Sequence, residues 1–246
     1  MLVRSRSRAV ARLVAVLGLT GLCAGSATAQ STSPLRLAAL TPAEQALQQV
    51  PKPLPRAPFG LRTNSDSSLS TKWRGLQPAL HLEARVLELC RSDPKTCSPG
   101  TSRFLAIIEA ARKRDGRARI GEINRAVNLA IRPVSDLAQF HAQDVWMTPL
   151  MTFALGAGDC EDYAIAKYVA LREAGMDEAD LRLVILHDQS INQDHAVTAV
   201  RIDGSWIMLD NRHMILLAES QLSKMIPLLA FGSQDDVAPD VADELT

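Results

Sequence analysis

The chain has 246 residues, and its 27 Lys and Arg side chains balance its 27 Asp and Glu side chains. Without an excess of basic residues, the composition argues against nucleic acid as the main partner. Pro, Ser, Thr and small residues dominate from residue 31 to about residue 70, and the following segment is long enough for one substantial core. We therefore predict a flexible lead-in over residues 30–72, one folded domain over residues 73–231 and an acidic, frayed tail over residues 232–246.

The N-terminus has the pattern of a secretory signal peptide. Four arginines precede an apolar run over residues 13–22, and small residues end in Ala27-Thr28-Ala29. A charged region, a short apolar core and an Ala-x-Ala site are typical of a cleaved signal, so we predict one over residues 1–29. Lipidation at Cys23 is the alternative, although the bulky Leu22 stands where lipoprotein sites carry a small residue. Cleavage would leave 27 − 4 = 23 basic against 27 acidic residues, a mildly acidic protein.

The cysteines fit an exported protein. Cys90 and Cys97 flank a turn-like segment that could bring them together, and in an oxidising compartment we predict a disulfide between them. Since Cys23 would leave with the signal peptide, Cys160 is then the odd thiol.

Apolar residues at helical spacing predict four helices in the folded domain, of which Pro133 ends the third and Gly175 the fourth. Apolar runs predict three strands after them. The helices are expected near residues 82–90, 104–111, 120–131 and 160–175, and the strands at residues 181–187, 196–202 and 205–209. Helices followed by an antiparallel sheet indicate an α+β fold.

The most informative segment places Cys160 at the end of a glycine-rich turn, Gly156-Ala157-Gly158-Asp159, where the fourth helix begins. A thiol in the first turn of a helix faces unpaired backbone N–H groups and the positive end of the dipole. Both favour the thiolate, which is the nucleophilic form. The sequence therefore indicates a cysteine hydrolase, with an inert buried cysteine as the alternative.

A histidine and an aspartate follow on the predicted strands. Asp203-Gly204 is a strong signal for a two-residue hairpin turn that pairs Ile202 with Ser205. In that register His195 and Asp210 share one face as diagonal neighbours, whereas a three-residue loop would put Asp210 on the other face. We predict that Cys160 attacks a carbonyl, that His195 carries the proton and that Asp210 orients the imidazole.

Other assignments remain open. His187 and His213 compete with His195, and Asp210 could simply start a turn with Asn211. The backbone N–H of Cys160 is the default oxyanion donor, and Trp146 or Gln139 could supply a second.

Several segments together resemble one family. They are Gly158-Asp159-Cys160-Glu161-Asp162-Tyr163, Asp194-His195-Ala196-Val197, Leu209-Asp210-Asn211-Arg212, Arg132-Pro133-Val134-Ser135-Asp136, Trp146-Met147-Thr148-Pro149 and the pair Cys90 and Cys97. In combination they look like the bacterial transglutaminase-like cysteine proteinases, the LapG-type family. The resemblance implies a papain/transglutaminase-like fold with Cys160, His195 and Asp210 as the triad. It also implies a periplasmic protease that cuts the N-terminal region of a large surface adhesin at a di-alanine site, under an inner-membrane cyclic-di-GMP receptor (LapD-type).

The same resemblance implies calcium beside the nucleophile, with Asp159, Glu161 and Asp162 at the matching positions. Carboxylates next to Cys160 would raise its pKa and oppose thiolate formation, and a cation with oxygen ligands would offset them. Three carboxylates are too few for a complete calcium shell, and Asp203 is a guess at a further ligand. The alternative is helix capping, with Asp159 as N-cap and Asp162 in the first turn.

Two other functions share these residues. The triad chemistry also suits acyl transfer to an amine, as in true transglutaminases, and a non-catalytic binding module could keep the fold. A module that only binds need not keep Cys160, His195 and Asp210 together, so we predict an enzyme.

Overall fold

The structure is a computed structural model, and it describes Pro58 and residues 68–232. The predicted signal peptide, nearly all of the lead-in and the tail from residue 233 lie outside the described residues. The described α-helices are α1 Ser68–Ser92, α2 Pro99–Arg112, α3 Gly116–Ala130, α4 Asp136–Phe140, α5 Pro149–Leu155 and α6 Cys160–Glu173. The strands are β1 Arg132–Pro133, β2 Ala157–Gly158, β3 Leu181–Asp188, β4 Gln193–Ile202, β5 Ser205–Leu209, β6 Leu217–Ala218 and β7 Met225–Phe231.

Helix α1 begins at Ser68, earlier than the domain boundary predicted at residue 73. Its buried face repeats every seven residues, through Trp73, Leu80 and Leu87. Leu82 and Leu89, on which the helix prediction partly rests, are each 63% exposed. The heptad-spaced face explains this difference, because those two leucines point away from it.

The predicted disulfide is present between Cys90 and Cys97, whose Cα atoms are 5.3 Å apart. It closes the turn between α1 and α2. Ser98 then begins α2 as its N-cap, accepting a hydrogen bond from the backbone N–H of Thr101 at 3.1 Å.

Helix α6 runs through the middle of the domain. Every residue from Glu161 to Leu171 is buried, so the helix is enclosed rather than amphipathic as its sequence pattern indicated. It ends where Gly175 was expected to stop it. Gly175 adopts φ +93°, and the N–H of Met176 reaches the carbonyl of Leu171 at 3.0 Å, the pattern of a Schellman motif.

An antiparallel sheet of five strands, in the order β6-β5-β4-β3-β7, covers one side of α6. The three predicted strands are its centre. The edge strands β6 and β7 were not predicted, and β7 pairs with β3 from far along the chain. Helices α2, α3 and α5 contact the other side of α6, so the domain has the predicted α+β architecture.

The larger core lies between the helices and the sheet, where residues such as Phe104, Ile123 and Ile165 are buried. A smaller cluster, including Trp206, Met208 and Leu222, covers the opposite sheet face. Among the described helices, none combines the length and apolarity that crossing a membrane requires.

Candidate active site

Backbone contacts fix the position of Cys160. Helix α5 ends at Gly156, which takes the left-handed φ of +62° that glycine adopts without steric cost. The next two residues form β2, which pairs in parallel with β1, and Cys160 begins α6 two residues later. The Cys160 side chain is half-buried, and it lines the same cavity as Ala196 on β4. The nucleophile candidate is thus held between the start of α6 and the strand that carries His195.

The hairpin register agrees with the prediction. Ile202 pairs with Ser205, and the ladder continues to the pair of Thr198 and Leu209. One residue beyond it, Asp210 Oδ1 lies 2.9 Å from His195 Nε2. Both side chains are buried, so this contact is protected from water.

The other imidazole nitrogen is available. Nδ1 of His195 is buried, and no hydrogen-bond partner for it occurs within residues 68–232. Because Nε2 is oriented by a carboxylate, Nε2 carries the proton in the neutral ring and Nδ1 is the basic nitrogen. His195 can therefore accept a proton at Nδ1 while Asp210 stabilises the charged ring.

Cys160 and His195 line the same cavity, of about 310 Å³. The remaining lining residues are mostly acidic or apolar: Leu69, Asp144, Trp146, Asp159, Glu161, Ile185, Asp194 and Ala196. Neither competing histidine lines it. His187 Nδ1 contacts Asp194 Oδ1 at 2.8 Å, and the half-exposed His213 contacts the second oxygen of Asp210 at 3.1 Å.

Asp210 is surrounded by donors. Burial, the largest single influence, would raise its pKa, but the hydrogen bond and charge of His195 act in the opposite direction. The backbone N–H of Arg212 and the ring of His213 add to this effect, so the pKa of Asp210 lies well below its usual range. The group is an anion at every pH at which an enzyme of this kind would work.

The thiol of Cys160 is in the opposite situation. Burial, followed by the charge of Glu161, raises the pKa of Cys160 far above its usual range. The sulfur donates to Glu161 Oε2 at 3.1 Å, which stabilises the thiol rather than the thiolate. The helix-terminus effect expected from the sequence is therefore opposed by the carboxylates next to the nucleophile.

Three of these carboxylates form a compact cluster. Oxygens of Asp136, Asp159 and Glu161 all lie within 4.8 Å of one another. Asp136, the first residue of α4, is the member that the sequence prediction missed. Its backbone N–H donates to Asp159 Oδ2 at 3.4 Å, and its own carboxylate accepts from the N–H of Val145. We call Asp136, Asp159 and Glu161 the acidic cluster.

The structure does not bring Asp162, the third predicted ligand, into the acidic cluster. Asp162 Oδ1 accepts from the N–H of Met147 at 2.9 Å, and Oδ2 accepts from the N–H of Asp159 at 3.2 Å. Both Asp162 oxygens thus accept hydrogen bonds from backbone N–H groups, and Oδ2 caps the start of α6. A Cβ at residue 158 would lie 2.5 Å from Asp162 Oδ2, which explains the glycine there. Asp203, the guessed further ligand, sits in the hairpin turn, outside this cluster.

The acidic cluster fits a cation. Asp159 Oδ1 is buried and has no hydrogen-bond partner among the described residues. Burial, and then the carboxylate of Glu161, raises the pKa of Asp159 to about 7, and burial also raises the pKa values of Glu161 and Asp136. Crowded carboxylates, one of them with an oxygen that no described donor reaches, are suitable ligands for a hard cation such as calcium. This cluster could hold a metal ion.

The two suggested oxyanion donors are already engaged. The indole N–H of Trp146 donates to Asp144 Oδ1 at 2.8 Å, although its ring lines the cavity. Gln139 Nε2 faces the sulfur of Met147 at 3.9 Å and is not among the lining residues.

Comparison with known proteins identifies the family. The family model described as bacterial transglutaminase-like cysteine proteinase matches residues 77–223. This chain belongs to that family. The match spans the disulfide, the acidic cluster and all three proposed catalytic residues, so the family resemblance seen in the sequence is confirmed.

Solved structures show the fold of this proteinase family. LapG of Legionella pneumophila is 24% identical over 61% of this chain and 84% of its own, with a TM-score of 0.51. A calcium-bound structure of the same protein gives the same identity and TM-score over 83% of its chain, and an EGTA-treated one gives a TM-score of 0.50. No curated protein sequence matches the chain. At this identity the likeness supports the transglutaminase-like α+β fold, and the chemistry of the site has to be argued from its own residues.

Proposed function

We propose that this member of the cysteine proteinase family is a periplasmic, calcium-dependent endopeptidase with Cys160, His195 and Asp210 as its catalytic triad. The observation that carries the proposal is the arrangement of His195. Its Nε2 is hydrogen-bonded to the buried Asp210 carboxylate, and its Nδ1 has no partner among the described residues. The same histidine shares a cavity with Cys160. A proton acceptor next to a thiol is what nucleophilic catalysis by cysteine requires.

The reaction begins with transfer of the Sγ proton of Cys160 to His195 Nδ1. The thiolate attacks the scissile carbonyl carbon, and the carbonyl electron pair moves to oxygen, where the backbone N–H of Cys160 donates to it. His195 then returns the proton to the amide nitrogen as the C–N bond breaks, leaving a thioester and a free amine. Water, deprotonated by His195, attacks the thioester and releases the acid and Cys160. Asp210 remains ionised throughout and stabilises the imidazolium.

Asp136, Asp159 and Glu161 would hold the calcium ion. A bound cation supplies positive charge that offsets the carboxylates beside Cys160. When Glu161 is occupied as a ligand, its carboxylate no longer stabilises the protonated thiol. The backbone N–H of Val145 donates to the Asp136 carboxylate, so this ligand set would also hold the segment that leads to Trp146.

For the substrate, we propose the N-terminal region of a large surface adhesin, cut at a di-alanine site to release it and promote biofilm dispersal. An inner-membrane cyclic-di-GMP receptor of the LapD type would regulate the cut. Membership of the family supports this part of the proposal. The sequence pattern of an exported protein is compatible with it.

The test is incubation of the purified protein and calcium with the N-terminal region of a co-encoded adhesin. We expect one discrete cut, lost in Cys160→Ala and lost on addition of EGTA. Cleavage that persists in Cys160→Ala would exclude that residue as nucleophile. Incorporation of an amine into glutamine-containing peptides, without proteolysis, would instead identify an acyl transferase, and absence of both activities would indicate a binding module.

A further inference from the structure

Helix α3 presents two asparagines to the turn that carries Asp210. Asn124 is fully buried and Asn128 is 9% exposed. The Nδ2 atoms of both donate to the backbone carbonyl of His213 at 3.0 Å, and Asn128 Nδ2 also donates to the carbonyl of Asp210 at 3.0 Å. The amide of Asn128 therefore joins the first and last residues of the turn formed by residues 210–213.

These amides serve as donors. The carbonyl oxygens they contact can only accept, which fixes the orientation of both side chains. Their own Oδ1 atoms are buried and have no hydrogen-bond partner in the described part of the chain. The same helix face is otherwise apolar, with Ile120, Ile123 and Val127 in the core. Asparagine is unfavourable in such a place unless the donated hydrogen bonds are needed.

The turn at residues 210–213 lies beyond the end of the sheet, so side-chain hydrogen bonds such as those from Asn124 and Asn128 stabilise it. The β4–β5 ladder ends at the pair of Thr198 and Leu209, one residue before Asp210. Within the turn, the N–H of Arg212 donates to Asp210 Oδ1 at 2.9 Å, the same oxygen that contacts His195. A shift of the Asp210 backbone would therefore change the contact that orients the imidazole.

We propose that Asn128 is a positioning residue for the triad: by joining the carbonyls of Asp210 and His213, it keeps Asp210 Oδ1 in hydrogen-bond contact with His195 Nε2. Asn124 supports the far end of the same turn. The proposal rests on the proposed function, because it assigns to Asn128 an effect on the proton transfer between Cys160 and His195. A displacement of about 1 Å in such a group can lower a catalytic rate about 100-fold.

Asn128→Leu tests the proposal, because leucine keeps a similar size but removes the donors. The assay is the rate of iodoacetamide alkylation of Cys160 between pH 5 and 9, on the full chain with calcium, together with kcat/KM on the adhesin segment. We expect Asn128→Leu to lower alkylation at pH 7 about 10-fold or more and to lower kcat more than it changes KM. Asn124→Leu, which loses only the contact to His213, should have a smaller effect.

Ile120→Val is the control for a loss of packing in the same helix. It should lower the melting temperature while leaving the pH profile of alkylation unchanged, since Ile120 is not in the turn. If Asn128→Leu gives the wild-type profile with only a lower melting temperature, Asn128 is merely structural and the proposal is overturned.

If Asn128→Leu does not fold, Asn128→Ser decides, because the single hydroxyl proton of serine cannot join the carbonyls of both Asp210 and His213. Slower alkylation than wild type supports the proposal, and a wild-type profile overturns it. Failure of the proposed function has a different result: wild-type Cys160 itself would then alkylate no faster than an ordinary free thiol.

Discussion

Two sets of carboxylates contact the proposed catalytic pair, Cys160 and His195, and their oxygens are satisfied in different ways. Asp210, which touches His195, receives hydrogen bonds from His195, His213 and the backbone of Arg212, and its pKa is held down. The acidic cluster, which touches Cys160, contains an oxygen of Asp159 without a described partner, and the pKa of Asp159 is raised to about 7. The chain's own donors thus satisfy the carboxylate on the histidine side, whereas the acidic cluster on the cysteine side could hold a metal ion.

The largest effect on activity is expected from replacing Asp210, the carboxylate whose oxygens accept hydrogen bonds from the chain's own residues. Asp210→Asn keeps the shape but removes the anion and favours the wrong imidazole tautomer, so kcat should fall about 1,000-fold or more. Steady-state cleavage kinetics measure this. Asp203→Asn, in the hairpin turn, is the matched control and should retain activity, and an equally active Asp210→Asn would contradict the role of Asp210.

The second effect distinguishes the ligand set predicted from the sequence, which includes Asp162, from the acidic cluster, which includes Asp136 instead. Asp136→Asn should weaken calcium binding about 100-fold or more, because it removes a charged oxygen from the cluster. Asp162→Asn should lower the melting temperature by weakening the helix cap, but the stabilisation by calcium should remain. Melting temperatures with and without calcium measure both, and a loss of the calcium effect in Asp162→Asn alone would restore the sequence-based assignment.

The third effect follows from protonation of the cluster. The pKa of Asp159 is about 7 in the folded protein and near its ordinary value of 3.8 in the unfolded chain. Stability from this group is therefore complete below about pH 4 and is lost as the pH rises through 7. Calcium would bind the ionised cluster in place of the proton. The rise in melting temperature that calcium causes should therefore be larger at pH 8 than at pH 5. An increase independent of pH over this range would count against the cluster as the binding site.

The smallest effect concerns the second histidine on Asp210. His213 is half-exposed and does not line the cavity, so its contact with Oδ2 should contribute no more than about 1 kcal/mol. His213→Gln should therefore retain kcat/KM within about fivefold of wild type. His195→Gln serves as the comparison. A larger loss of kcat/KM in His213→Gln than in His195→Gln would indicate that His213, and not His195, carries the proton.

The sequence predicted those features that depend on local signals. The hairpin at Asp203-Gly204, the end of α6 at Gly175 and the disulfide follow from nearby residues, and the structure has all three. Strand β7 was missed because Pro227 interrupts its pattern and its partner β3 lies far away in the chain. The spacing of apolar residues in α6 indicated an amphipathic helix. The sequence does not show that the sheet covers one side of α6 and other helices cover the opposite side.

The candidate site divides in the same way. Cys160, His195 and Asp210 were chosen from a helix start and a hairpin register, and the structure brings His195 and Asp210 into contact. Asp136 was not predicted as a ligand, although it lies in a segment that resembles the family. Its approach to Asp159 depends on the pairing of β1 and β2, and each of these strands has only two residues. Such short pairs leave no periodicity to detect. Asp162 stays a predicted ligand that the structure places outside the acidic cluster, and the sequence does not show that backbone N–H groups occupy both of its oxygens.

The short parallel pair of β1 and β2 has a consequence for insertions in the segments that lead from it to Asp136 and Asp159. Two backbone bonds, from Arg132 N to the carbonyl of Gly156 and from Val134 N to that of Gly158, align the segments that lead to Asp136 and Asp159. The number of residues between these bonds and the two carboxylates therefore influences how close Asp136 and Asp159 come to each other. Loops usually tolerate insertions. Here one residue added between Val134 and Asp136 would separate the cluster without changing any of its members.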